Sequence, residues 1–271
     1  MRKHYLIESQ TSYGPVLSDY VKYLADFKKQ IEDGYGRHAY LNNLVFSVHT
    51  VPDAASIFPQ GKGPTEARIG EGEVQPETYA VSTRVVKPYD IGFRIEVRDW
   101  AKAPGVVHMG TLMELIATKI AENEVLVLVE GLTKTAGKQF QATNALRLSK
   151  VDLRNAIQWI GSNGFQPNRV LMSPDLESQL VLKDEIIEKW HFPSSMSDWG
   201  NHHSGKIDGL DLFWNYSLKG RAIVYESFNI SFAKTDFKVA FDDVQSPTQL
   251  IIQCWCSCAP LDERSVALIT V

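Results

Sequence analysis

The residues most able to do chemistry sit close together. All three cysteines, Cys254, Cys256 and Cys258, fall in the run Ile251-Ile-Gln-Cys-Trp-Cys-Ser-Cys-Ala259. Alternate residues of a strand project to one face, so three thiols are predicted on one side at i, i+2 separations of about 7 Å. That spacing is at the upper limit for a disulfide without backbone distortion. A metal site would want a turn-forming CxxC and a distant second ligand pair. Neither is present, although His202-His203 could supply nitrogen. The reading is three small thiols, buried or half-buried on a strand, with metal or redox chemistry as the alternative.

A phosphate loop is the nearest enzyme motif. Val125-Leu-Val-Leu-Val129 could be a strand feeding Gly131-Leu-Thr-Lys-Thr-Ala-Gly137-Lys138-Gln139. Such a loop needs four residues between its glycines, so that successive amides converge on phosphate, and a Ser or Thr after the lysine for magnesium. Here five residues intervene and Gln139 follows. There is no Gly-x-Ser-x-Gly, no His-Glu-x-x-His, and no cysteine at a predicted helix start where its pKa would fall. His202-His203, flanked by Asn201 and Ser204, reads as a solvated loop. Asp242-Asp243 resembles a carboxylate pair, but neighbours on a strand face opposite ways, so it reads as a strand-ending turn. The expectation is no enzyme, no cofactor and no metal, with a P-loop-like nucleotide-binding enzyme as a remote alternative.

Composition bounds the remaining classes. The 271 residues are 44% hydrophobic and 22% charged, a globular profile. Twenty-eight Lys plus Arg against 32 Asp plus Glu, a formal charge of -4, provide no basic field for phosphate neutralisation. The longest aliphatic run, Val125 to Val129, is far below the about 20 apolar residues of a membrane-spanning helix. The opening Met1-Arg-Lys-His-Tyr5 leads to Glu8, Gln10 and Ser12 rather than an apolar stretch. No secretory leader is therefore expected, and the location is inside a cell.

The elements follow from periodicity. Leu17, Tyr20, Val21, Leu24, Phe27 and Ile31 predict an amphipathic helix over residues 18–32 with Ser18 as N-cap. From Pro52 to Glu77, four prolines and four glycines alternate with charges, and no core is expected there. Val81–Val86 and Ile91–Val97, joined by Lys87-Pro-Tyr-Asp90, predict a long hairpin carrying that loop, and a loop of this length is usually functional. Thr111-x-x-Glu114 reads as a capping box opening a helix that stops at Gly131, about 19 residues and about 29 Å long. Its broad apolar face is interrupted by Glu124. After a turn-rich connector, residues 131–144, a second helix carries Val151, Ile157, Trp159 and Ile160. Arg169–Met172 is a buried strand, and Ser173-Pro-Asp175 opens a helix to about Lys189. Residues 192–204 read as a loop. Short strands follow at 210–214, 222–226, 230–233, 238–241, 250–256 and 266–270, so the C-terminal part is α+β.

Four stretches in this order carry a resemblance. Gly70-Glu-Gly-Glu-Val-Gln-Pro-Glu77, leading into Val86-Lys-Pro-Tyr-Asp-Ile-Gly-Phe-Arg-Ile-Glu-Val97, looks like an extended loop. Leu112 to Gly131 looks like a spine helix. Pro167-Asn-Arg-Val-Leu-Met-Ser-Pro-Asp175 is similar to a strand-to-helix step of an apical domain. Gly205-Lys-Ile-Asp-Gly-Leu-Asp-Leu-Phe-Trp-Asn215 and Arg221-Ala-Ile-Val-Tyr-Glu226 look like closing strands. Together, over roughly residues 60 to 271, the chain resembles the major capsid proteins of tailed phages and archaeal tailed viruses (Hong Kong 97-type fold) and their relatives, the encapsulin shells.

The resemblance implies an α+β fold with an N-terminal arm and helix (residues 1–50), an extended β-hairpin loop (51–100) and a peripheral domain with a long spine helix (101–150). An apical domain with a mixed sheet (151–245) and C-terminal strands returning to the core (246–271) complete it. It implies a shell protein that self-associates into hexamers and pentamers around a double-stranded DNA genome, in a virion assembled in host cytoplasm. An encapsulin-type nanocompartment shell is the alternative. Tyr13-Gly-Pro15 matches only part of an encapsulin-like early segment, which favours the capsid. Portal, scaffold or decoration proteins and packaged DNA, held non-specifically, are the further implied partners, with no membrane. No scaffolding segment precedes the loop, so a separate scaffold is expected. The inter-subunit contacts implied are Lys62, Glu66, Arg68, Glu71, Glu73, Glu77, Arg84 and Arg94. Lys62 is the sole lysine between Pro52 and Arg84, but no cross-linking partner is identified.

Overall fold

The computed structural model describes residues 14–52, 57–61, 81–86, 88–96, 106–181, 203–242 and 246–271. In chain order these form α1 (Gly14–His38), α2 (Leu41–Leu44), β1 (Ser47–Thr50), β2 (Ile57–Gly61), β3 (Val81–Val85), β4 (Tyr89–Glu96), α3 (Val106–Thr135) and β5 (Lys138–Gln141). There follow α4 (Lys150–Ser162), β6 (Arg169–Met172), α5 (Pro174–Val181), β7 (His203–Ile207), β8 (Leu210–Trp214), β9 (Arg221–Tyr225), β10 (Ile230–Lys234), β11 (Lys238–Asp242), β12 (Ser246–Pro260) and β13 (Val266–Thr270). The fold is α+β, as the pattern of elements predicts.

Several boundaries differ from the sequence reading, each for a physical reason. Helix α1 begins at Gly14-Pro15 rather than at Ser18, since proline is tolerated in a first helical turn. The long helix α3 starts at Val106 and spans 30 residues, so Thr111 lies inside it and the predicted capping box does not form. Nor does Gly131 stop it. A Cβ there would meet Cys258 Cβ and its carbonyl oxygen at 3.1 Å, so the glycine serves close helix-on-sheet approach. The helix ends four residues later, near Gly137, whose amide donates to the carbonyls of Glu263 and Val266 at 3.0 and 3.1 Å. The predicted connector contains β5, and residues 182–202, which hold the predicted end of the helix opened at Pro174 and residues 192–202 of the predicted loop, lie outside the described residues. His203 opens β7.

The predicted hairpin of residues 81–86 with 91–97 does not form. β3 instead pairs antiparallel with β2, a strand inside the Pro- and Gly-rich stretch where no regular element was expected, in the register Ile57↔Val85 to Gly61↔Val81. β4 is recruited by β12, from Glu96↔Gln249 to Tyr89↔Cys256. The alternation of Ile91 and Phe93 with Gly92 and Arg94 marks a half-buried strand but does not name its partner. Pairing with β12 buries Ile91, which a bare two-stranded ribbon could not do.

Two larger sheets result. In the five-stranded one, β10 and β11 run in succession along one edge of the 15-residue β12, β4 lies along its other edge, and β1 joins β10 in parallel. The six-stranded sheet has the order β5-β13-β9-β6-β8-β7. Its β7–β8 hairpin turns at Asp208-Gly209, both at positive φ (47° and 82°), where the glycine tolerates the left-handed region and aspartate is among the few other residues that do.

Each central strand of the six-stranded sheet divides its residues between two cores. Leu171, Phe213, Ile223, Tyr225, Val266 and Leu268 face one core, shared with α1, α3 and the five-stranded sheet. Val170, Met172, Leu212, Val224, Ala267 and Ile269 face the other, closed by α4 and α5 through Leu153, Ala156, Ile160, Leu176 and Leu180. A strand buried on both faces must be apolar at successive positions, which is why Ala222-Ile-Val-Tyr225 and Val266-Ala-Leu-Ile269 show no alternation. Helix α4 is fixed at its start by Ser149. The hydroxyl accepts from the Asp152 amide at 3.3 Å, while the Asp152 carboxylate takes the Ser149 amide at 2.9 Å, the reciprocal pair of a capping box.

Candidate assembly interface

The residues singled out in the sequence for contact with neighbours fall in three places. Lys62, Glu66, Arg68, Glu71, Glu73 and Glu77 lie outside the described residues. Arg84 lies in β3, opposite Phe58 of β2. Arg94 is exposed on β4, opposite Ile251. The pairing thus separates Arg94 from Arg84: one belongs to the five-stranded sheet, the other to the ribbon.

The ribbon of β2 and β3 is anchored at its base. Val51, on the way in, and Val86, on the way out, pack on Ala233 of β10 and the fully buried Ala259 of β12. Val51 also donates its amide to the Lys234 carbonyl at 2.8 Å. Beyond its base, β4 is tied to the long helix by Tyr89, whose hydroxyl donates to Glu130 Oε2 at 2.9 Å and accepts from Lys134 Nζ at 2.6 Å. Lys134 also donates to Glu130 at 2.9 Å. The Lys134 and Tyr89 hydrogen bonds hold the Glu130 carboxyl below its usual range, and those of Tyr89 and Glu130 hold the Lys134 ammonium above its own. The cluster is solvent-facing, so it orients the strand more than it stabilises it.

Large apolar side chains stand exposed elsewhere. Leu146 is 84% exposed on the turn Asn144–Arg147, which the Asn144 side chain fixes by accepting from the Leu146 amide at 2.9 Å. Phe46 and Phe228, 69% and 56% exposed, meet with ring centroids 4.5 Å apart. Sequence reading missed these residues. An isolated Leu in a polar connector, and a Phe at each of two element junctions, carry no periodic signal.

The interior holds the residues whose types could do chemistry. Cys254, Cys256 and Cys258 are free and buried on the inner face of β12, as predicted. The hydrogen bond with Cys254, then burial, pushes the Cys256 thiol up, and burial pushes Cys258 up. These two sulfurs stay protonated and poorly nucleophilic. Among the described residues no group of three His, Cys, Asp or Glu converges on a metal position. Val125–Val129 is the interior of α3, Gly131 is pressed on Cys258, and Lys138 lies on β5, so the stretch offers no strand-to-loop phosphate cradle.

A buried polar cluster lies between α1, α3 and β10. Glu124, at 0% exposure on the inner face of α3, accepts from the Tyr35 hydroxyl of α1, and Lys234 Nζ of β10 lies 3.4 Å from its other oxygen. Lys234 also donates to the Tyr35 hydroxyl at 2.7 Å and stands 4.2 Å from the centre of its ring. Burial, reinforced by Glu124, pushes the Tyr35 hydroxyl far up. The cluster joins three elements, α1, α3 and β10.

No protein-family profile and no curated protein matches the sequence. Solved structures do. A virus-like particle from Pyrococcus furiosus superposes with a TM-score of 0.62 at 11% identity, over 91% of this chain and 99% of that one. The capsid of a native GTA particle gives 0.58 at 12% identity, over 86% and 90%. An encapsulin complex from Synechococcus elongatus gives 0.57 at 13% identity, over 85% and 86%.

Proposed function

From the Hong Kong 97-type fold that the chain shares with these shells, we propose that it is a structural protein whose work is to bind copies of itself into a closed icosahedral container. The observation that supports this is a likeness running nearly end to end in both chains, which leaves little room for an added catalytic domain in the described body. In this reading hexamers and pentamers form a viral capsid around double-stranded DNA, assembled in the host cytoplasm with portal, scaffold or decoration proteins. Residues 51–100 act as the clasp. Lys62, Glu66, Arg68, Glu71, Glu73 and Glu77, together with Arg84 of the ribbon and Arg94 of the sheet, meet a neighbouring copy. Residues 1–50, 101–150, 151–245 and 246–271 are the arm and helix, the peripheral and apical parts, and the returning strands. Reaching segments suit heterologous contacts, because closing a shell requires one surface to adapt to unequal surroundings.

A second reading, an encapsulin-type compartment, is favoured by the superposition on the cyanobacterial encapsulin. Light scattering and negative-stain microscopy of the purified chain decide the common claim. Closed particles of megadalton mass are expected, and a 30.5 kDa monomer at high concentration would overturn it. Deleting 62–72 should leave a folded subunit that fails to close, and normal particles from that deletion would remove the clasp role. Nuclease-protected DNA inside particles from the native source identifies the capsid, and protein cargo identifies the encapsulin.

A further inference from the structure

Helix α1 covers Glu124. It docks on α3 through Phe27, Ile31 and the close pass of Gly34 over Ala117, where a Cβ on the glycine would come within 3.0 Å of the alanine's. Tyr35 closes the lid, backed edge-on by Phe237 with ring centroids 5.2 Å apart. The ionisable groups facing the carboxyl are few. From α1 there is Tyr35, from β10 Lys234, and from β12 the thiols of Cys254 and Cys256. Lys238 of β11 stands over the Trp255 ring at 5.0 Å, on the other face of the strand. Arg37, also on α1, is engaged with Glu114, more than two turns along α3. Among the described residues the facing cation, Lys234, is closer to the Tyr35 oxygen, at 2.7 Å, than to the carboxyl, at 3.4 Å. A fully buried carboxylate whose counter-ion stands at that distance and is shared with a tyrosine hydroxyl is only partly compensated.

We propose that Glu124 is a proton-linked lock on α1, binding a proton as the helix docks and loosening the helix as the carboxyl ionises. Burial, only partly offset by Lys234 and Tyr35, pushes the Glu124 carboxyl up from its ordinary range. For a carboxyl raised in the docked state, the proton's contribution is complete below the ordinary glutamate value and is lost as pH rises through the docked value. Linkage of one proton limits the effect to about tenfold in the docking equilibrium per pH unit. The lock belongs to the subunit itself and stands whether or not the chain closes shells.

Hydrogen exchange on the full chain between about pH 5 and 8, corrected for the intrinsic pH dependence of exchange, tests it. Opening of residues 25–37 should rise with pH by up to about tenfold per unit, while α4 holds constant. Glu124→Gln should abolish the slope and keep α1 protected at the upper end. Tyr35→Phe removes a donor to the carboxylate, so the slope should move to higher pH. A flat profile in the natural protein, an unchanged slope in Glu124→Gln, or a Tyr35→Phe profile that stays in place or moves down would each overturn the proposal. Should Glu124→Gln fail to fold, the natural profile and the Tyr35→Phe shift decide.

Discussion

The two large sheets solve burial differently. The six-stranded sheet is covered on both faces, so neighbours along one strand, such as Ile223 and Val224, sit in separate cores. Among the described residues the five-stranded sheet is covered by α3 on one face and only at one end of the other, where Val51 and Val86 pack on Ala233 and Ala259. Leu250, Ile252, Cys254, Cys256 and Cys258 point at α3, while Ile251, Gln253 and Trp255 lie half-buried beside the exposed Arg94, Asp90 and Lys238. The contrast shows that a strand's pattern reports how many of its faces are covered, which is a property of the surrounding layers.

The sharpest way to break the contrast is to truncate neighbours on one strand. Ile223→Ala and Val224→Ala should both be costly, about 2–5 and 1–3 kcal/mol, because each opens a cavity in a different core. Ile252→Ala should also cost about 2–5 kcal/mol. Its neighbour Gln253, which donates to Asp90 at 2.7 Å on the open face, should be replaceable by Ala within about 0.5 kcal/mol. Denaturant midpoints of the subunit measure all four, and a large loss at Gln253 or a small one at either β9 position would end the distinction.

Close backbone approach sharpens the comparison next. Gly137→Ala would put a Cβ 2.5 Å from the Glu263 carbonyl oxygen, a backbone atom that cannot rotate away. Gly131→Ala meets Cys258 at 3.1 Å. Both should lower the thermal midpoint by an amount equivalent to about 1–3 kcal/mol, with Gly137 the worse.

The ionisable groups in the two regions should respond to pH with opposite signs. Burial alone would raise the Asp152 carboxyl, but hydrogen bonds from Ser149 and Thr143, at 2.6 Å from each hydroxyl, hold it below the usual aspartate range. The stability it lends is therefore present above the ordinary aspartate value and is lost as pH falls through the folded one. Asp152→Asn should cost about 1 kcal/mol at neutral pH and reduce the acid sensitivity of α4, read by circular dichroism during acid titration. Glu124 should show the reverse trend in α1. Tyr89→Phe should cost only about 0.5–1 kcal/mol, since its partners face solvent.

Much of the body was legible in the residues. The thiol face of β12 follows from i, i+2 spacing, α4 from its apolar period, and β6, β8, β9 and β13 from short apolar runs. The order of four weak motifs pointed to the shell fold. Local sequence could not say which strand β3 and β4 would choose, because a half-buried strand pairs equally well, by its own pattern, with any edge of matching register. The same limit applies to Gly131. A glycine after an apolar helical run reads as a stop, and its closeness to Cys258, 127 positions on, exists only once helix and sheet are packed.

By itself, the order of residues determined the periods, the thiol face of β12 and the presence of one carboxyl on an otherwise apolar helical face. Tertiary structure alone decided that β4 belongs to the sheet and not to the ribbon, that the six-stranded sheet serves two cores, and that Glu124 lies under Tyr35 beside Lys234. The reason is range. Periodicity and capping act within a few turns of chain, whereas strand partners, close glycine contacts and the solvation of a charge depend on residues brought together from tens to more than a hundred positions away.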